Sequence, residues 1–159
     1  MTPRHPDHPI DPQFLTRWSP RAFSAAPLQE AEMLRLLEAA RWAPSASNLQ
    51  PARFAWGLRG DAAFGAILAA LVPFNQDWAK AAAGLIVVAS KPHSEKNGAE
   101  VANVWHGFDA GAAWMSLALQ AQSMGLIAHA MGGFDGAALA AAVRLPAGYA
   151  LHAVVAVGV

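Results

Sequence analysis

Apolar and polar positions follow two rhythms along this chain, and each rhythm marks a kind of element. Pro27 stands where a first helical turn tolerates proline. The run LQEAEMLRLLEAARWA that follows is rich in good helix formers, with Leu34, Leu37 and Ala40 or Arg41 at helical spacing. That helix is expected to stop before Pro44, because the residue preceding a proline is pushed out of helical geometry, so PSASNLQP becomes a loop. Phe54, Trp56 and Leu58 alternate with smaller residues as in a strand, and Gly60 with Asp61 supplies a turn and an N-cap for a helix ending near Pro73. GLIVVA, residues 84–89, predicts a buried strand, KPHSEKNG an exposed polar loop, and much of 100–124 a long helix ending at Gly125. LIAHAM reads as a short strand, Asp135 as the cap of a helix through Val143 that Pro146 and Gly148 break, and YALHAVVAVGV as a nearly continuous apolar strand. Helices alternating with central strands predict a sheet flanked by helices.

Composition adds a surplus that the pattern alone does not reveal. The 159 residues suit one domain, yet only 14% are charged and 55% are hydrophobic, against about a quarter and about half in average soluble chains. The extra apolar surface implies a buried protein interface, a ligand cavity or both, and oligomerisation is expected. Eleven basic and eleven acidic residues cancel, which leaves no electrostatic footprint for nucleic acid or an anionic membrane. The absence of cysteine excludes disulfides, thiolate nucleophiles and the usual structural zinc sites, and it fits a reducing, cytoplasmic setting. MTPRHPDHPIDPQ is polar and proline-rich with no apolar centre, so residues 1–13 read as a flexible arm rather than a secretory signal, ahead of a single domain over 14–159. Residues 110–134 carry no Asp, Glu, Lys or Arg, but Ser116, Gln120, Gln122, Ser123 and His129 favour a buried helix and strand over a membrane span.

Signature chemistry is missing. No GxGxxG follows a strand, and GxxxxGK[ST], HExxH and GxSxG do not occur. His5, Asp7 and His8 lie in the arm without further ligands nearby, so no metal site is expected there. His106 and Asp109 have i,i+3 spacing and read as a hydrogen-bonded or surface helix pair. His129 and His152 stand singly in apolar strands, where a satisfied core histidine is the default.

Three segments remain. RWSPR, residues 17–21, sets two guanidiniums around a hydroxyl, which suits a phosphate but equally describes an exposed arginine pair. PSASNLQP offers hydroxyls, amides and backbone donors between prolines, a fit for the rim of a planar heteroaromatic ligand or simply a capped turn. AHAMGGFD sets Gly132 and Gly133 after a strand, where missing side chains allow close backbone approach.

In this order the segments resemble the nitroreductase family of FMN-dependent oxidoreductases, from about Arg17 to the C-terminus. RWSPRAF is similar to its Arg-x-Ser-x-Arg-x-Phe signature, and EAARWAPSASNLQP to its A-x-x-A-P-S-x-x-N-x-Q-P segment. The resemblance implies an α+β, three-layer α/β/α fold with a central mixed, largely antiparallel sheet in an intertwined homodimer. It implies flavin contacts from Arg17, Trp18, Ser19 and Arg21, and, toward the partner's flavin, from Pro44, Ser45, Ala46 and Asn48, with Gln50 supporting the loop. FNQDWAKAA makes Asn75 a polar contact, DAGAAWMSLALQAQSMGL resembles the long interface helix, and AHAMGGFD places Ala130, Met131, Gly132 and Gly133 beside the isoalloxazine. Many family members carry an acidic residue where this chain has Gly132. Family chains also usually continue into a tail that wraps the partner and adds a basic residue to the phosphate, whereas this sequence stops at Val159, so phosphate binding is expected to lean on Arg17 and Arg21.

The implied activity is ping-pong hydride transfer from NAD(P)H through flavin N5 to a planar acceptor such as a nitroaromatic or quinone. No catalytic side chain is then required, in keeping with the missing motifs. A flavin-binding or sequestering protein without turnover, and a different flavin reaction on the same fold, stay open as alternatives.

Overall fold

The computed structural model describes residues 4–159 of the chain. Helices are α1 (Pro12–Thr16), α2 (Glu30–Arg41), α3 (Ala62–Ala69), α4 (Pro73–Ala79), α5 (His106–Ser123) and α6 (Gly136–Ala142). Strands are β1 (Ala52–Leu58), β2 (Gly84–Ser90), β3 (His93–Lys96), β4 (Ala99–Ala102), β5 (Ile127–Met131) and β6 (Ala150–Gly158).

The sheet runs β1-β2-β6-β5, with every pairing antiparallel. Successive side chains of a strand point to opposite faces, and the two central strands use this to build two cores. Ile86, Val88, Val155 and Val157 pack with α2 and α5 on one side, while Leu85, Val87, Val154 and Ala156 pack with α3, α4 and α6 on the other. Burial on both faces explains why β2 and β6 read as apolar runs without alternation. The result is the three-layer α/β/α arrangement.

Four local readings are corrected. The first long helix begins at Glu30, two residues after Leu28, with the Gln29 N–H donating to the Glu32 carboxylate at 2.8 Å and the Glu32 N–H to the Gln29 carbonyl at 3.0 Å. Its buried stripe is Met33, Leu36 and Ala40, leaving Leu34 half exposed; both sets have helical spacing, and only packing against α5 and the sheet selects between them. Pro73 does not end a helix but opens α4 at its first position, after a break following Ala69. Finally, residues 93–102 form the β3–β4 hairpin rather than a loop and the start of a helix. Asn97 (φ 54) and Gly98 (φ 75) sit at its turn, the left-handed pair that suits two-residue hairpins, and α5 starts only at His106.

The boundary expected after residue 13 falls inside α1, which Asp11 caps by accepting from the Gln13 N–H. Residues 1–3 of the arm lie outside the described residues. Arg4 donates to the carbonyls of Leu15 and Arg17, tying the arm to the segment ahead of α2. No helix among the described residues is long and apolar enough to cross a membrane.

Candidate functional site

The candidate residues gather in two places. The first group surrounds the segment between α1 and α2. Arg17 Nη1 donates to Ser19 Oγ at 3.3 Å, and the Arg21 guanidinium lies 5.2 Å from the centre of the Phe74 ring at the start of α4. The next residue, Asn75, is buried and donates through Nδ2 to the Gly133 carbonyl at 3.0 Å, which also accepts from the Val72 N–H at 3.1 Å. His129 on β5 donates from Nδ1 to the Pro20 carbonyl at 3.1 Å. Trp18, Ser19, Pro20, Arg21, Ala22 and His129 line an open recess of about 640 Å³. Ala130 and Met131 end β5 just before the glycine turn, but the Met131 side chain belongs to the core facing α3 and α4 and is not available to a ligand.

The turn has two different glycines. A Cβ on Gly133 would stand 2.6 Å from Asn75 Nδ2 and 2.9 Å from Val72 Cγ2, so that position serves close packing. A Cβ on Gly132 would meet nothing within 4 Å, so its face is open.

The second group is the loop after α2. Pro44, Ser45, Gln50, Phe54, Asp109 and Ala113 are among the residues around a cavity of about 460 Å³. Three non-glycine residues of the loop adopt left-handed backbone, Ser47 (φ 50), Asn48 (φ 55) and Gln50 (φ 50), a conformation that costs roughly 1–2 kcal/mol for each L residue. Strain of this kind persists only where surrounding contacts over-determine it. Here Gln50 N–H donates to Ser45 Oγ at 2.9 Å, Gln50 Nε2 to Asn48 Oδ1 at 3.0 Å, and Arg53 Nη1 to the Gln50 carbonyl at 2.8 Å. The Ala46 N–H points at both oxygens of the buried Asp109, at 3.2 and 3.3 Å.

Asp109 is thus no partner of His106. It holds the loop, while His106 Nδ1 lies 2.7 Å from Ser90 Oγ, whose other neighbour is His152 Nε2 at 2.6 Å. Burial, and secondarily the nearby His106, lowers the His152 pKa below its ordinary value. An isolated carboxylate at the head of the uncharged 110–134 stretch was a legible hint of Asp109's role; Ser90 carries no such hint. His5, Asp7 and His8 are exposed, and among the described residues no three His, Asp or Glu side chains converge on a metal position.

These two groups lie on a fold whose sequence profile is that of the Nitroreductase family, matched over residues 15–159. The chain belongs to the nitroreductase family. A crystal structure of an oxidoreductase containing FMN is 42% identical and superposes with a TM-score of 0.94 over 98% of this chain and 79% of that one. A protein from Desulfovibrio desulfuricans solved in complex with FMN is 26% identical, with a TM-score of 0.77 over 92% of this nitroreductase-family chain and 83% of its own. An uncharacterized 15.4 kDa protein from the ask 5′ region of Mycolicibacterium smegmatis is 42% identical over 91 residues, 57% of this chain. That match spans only 58% of the relative's length.

Proposed function

We propose that this nitroreductase-family protein is a cytoplasmic, homodimeric FMN-dependent oxidoreductase that uses NAD(P)H to reduce a planar acceptor such as a nitroaromatic or quinone. The observation that carries the reading is the division of the candidate residues into two groups that line separate recesses. Within one chain, the Arg17–Arg21 segment, Asn75 and the 130–133 turn form one half of a cradle, and the strained 44–50 loop is the other half, displayed elsewhere. A second copy brings the loop of one chain to the cradle of the other. Exposed Trp42, Val104, Trp105 and Phe108 supply apolar surface for that contact.

The residues fit FMN. Arg17, Arg21 and the Ser19 hydroxyl offer charge-assisted donors to a phosphate monoester. Asn75 uses its amide nitrogen on Gly133 and has no protein partner for Oδ1 among the described residues, which leaves an acceptor for a ring N–H. The open face of Gly132 admits a ring edge. When bound, FMN would supply the hydride chemistry that links NAD(P)H to the acceptor. The chain binds and orients: the loop backbone and the turn present dipoles to the ring, and the strain held by Ser45 and Asp109 keeps the loop preorganised.

The test is the visible spectrum of the purified protein. A yellow preparation that bleaches with NADH or NADPH and recolours with a nitroaromatic or quinone is expected. Yellow protein that neither nicotinamide bleaches would assign it to flavin binding without turnover, and colourless protein that gains no thermal stability from FMN would remove the flavin altogether.

A further inference from the structure

We propose that His129 is a further ligand of the cofactor's phosphate monoester, held ready by the Pro20 carbonyl and taking up a proton when the phosphate binds. The inference rests on the FMN reading above and adds to it a residue on a different element from the arginines.

A carbonyl oxygen only accepts, so the nitrogen 3.1 Å from Pro20 O, Nδ1, carries the hydrogen. In the neutral ring Nε2 is therefore the site open to a second proton, and it has no hydrogen-bond partner among the described residues. His129 lines the same recess as Ser19 and Arg21, so its ring sits within the set of donors that suits a phosphate. On the other side the ring packs against Trp78, with centroids 4.7 Å apart and planes tilted by 49°. An indole face tolerates, and at close range favours, a cationic neighbour. The Pro20 bond fixes the ring while Trp78 supports it, so little side-chain freedom is lost when a ligand arrives.

Charge in the surroundings leaves room for this proton. Arg17 and Arg21 are the cations of the segment facing the ring. On α4, Asp77 and Lys80 are 4.0 Å apart and offset one another, and on β6 the residue opposite His129 is Ala156. A phosphate dianion entering the recess supplies the negative charge that makes the doubly protonated ring favourable, and the proton comes from solvent.

His129→Asn separates the two nitrogens. The Asn amide reproduces the Nδ1–H donor to Pro20 and lacks any counterpart of Nε2. Binding of FMN and of riboflavin, which lacks the phosphate, is measured by quenching of flavin fluorescence at pH 6 and pH 8. The expected result is about a tenfold loss of FMN affinity at pH 6, the worth of one charge-assisted hydrogen bond, with riboflavin affinity unchanged and the loss smaller at pH 8. Equal weakening of both flavins, or no change in either, overturns the assignment. Titration calorimetry of the unaltered protein at pH 7.5 in buffers of different ionisation heat gives an independent answer: net proton uptake with FMN and none with riboflavin is expected, and absence of uptake overturns the proposal. Wild-type protein that binds neither flavin overturns this proposal together with the cofactor reading, whereas FMN binding without bleaching by nicotinamide counts against the reductase reading alone.

Discussion

Ser90 Oγ meets His152 Nε2 at 2.6 Å because His152 is the extra residue of a β-bulge. Val88 pairs with Ala153 and Ala89 with Leu151, so His152 has no opposite number on β2. A bulge re-aims a side chain that regular alternation would direct elsewhere. The hydroxyl, wholly buried, can donate to one imidazole and accept from the other, so it links β2, β6 and the first residue of α5. Ser90→Ala leaves two ring nitrogens without that partner, and a loss of about 1–3 kcal/mol is expected in urea unfolding. A stability change within a few tenths would show that the link contributes nothing.

The same pair makes stability depend on pH. Burial and the neighbouring His106 depress the folded pKa of His152 below the ordinary 6.5. The unfolded chain therefore binds a proton that the folded chain resists, and stability that is complete above pH 6.5 is lost as pH falls through the depressed folded value. Thermal midpoints measured from pH 7.5 down to 5 should decline more steeply in the wild type than in His152→Gln. Parallel curves would contradict this.

Asp109 on α5 and Ala46 in the strained loop are joined by the carboxylate's grip on one N–H. Asp109→Ala should release the loop and weaken FMN binding by about tenfold, while Asp109→Asn, which keeps one acceptor oxygen, should retain most of it. Fluorescence titration of both variants checks the order, and equal affinities for Ala and Asn would exclude a role for the acceptor.

Gly132 and Gly133 are neighbours with opposite expectations. Gly133→Ala must displace both the Asn75 amide and the Val72 side chain, so a drop in melting temperature of several degrees is expected, corresponding to the roughly 1–3 kcal/mol typical of overpacking. Gly132→Ala meets open space in the free protein. It should melt normally yet bind FMN less well, since the methyl occupies room proposed for the ring. If Gly132→Ala binds FMN as the wild type does, the ring does not lie on that face.

Arg17 tests the phosphate half of the cradle. Arg17→Ala should weaken FMN at least about tenfold and leave riboflavin unaffected. Unchanged FMN affinity in the same titration would rule the role out.

Much of this protein is legible in the order of its residues. Strand identity and the doubly buried character of β2 and β6 follow from continuous apolar runs, which only a layer between two helical faces can satisfy. The helix after Asp135 follows from its cap, whose carboxylate accepts from the Ala138 N–H, and the RWSPR, PSASNLQP and AHAMGG segments carry the family in their side chains. Local rules did not reach the phase of α2, where two stripes have helical spacing and packing against α5 and the sheet chose Met33 and Leu36. The Asn97-Gly98 turn was visible in the letters, but the short strands around it, polar in β3 and exposed throughout β4, hid the hairpin. The links that hold the candidate site are long in sequence: Asp109 to Ala46, His152 to Ser90, His129 to Pro20, Asn75 to Gly133. Each joins a polar group to a partner distant in sequence that tertiary packing brings adjacent. Sequence by itself determined which groups are available, because chemistry resides in side chains. Tertiary structure decided which of them meet, because a buried polar group takes whatever partner the packing leaves within reach.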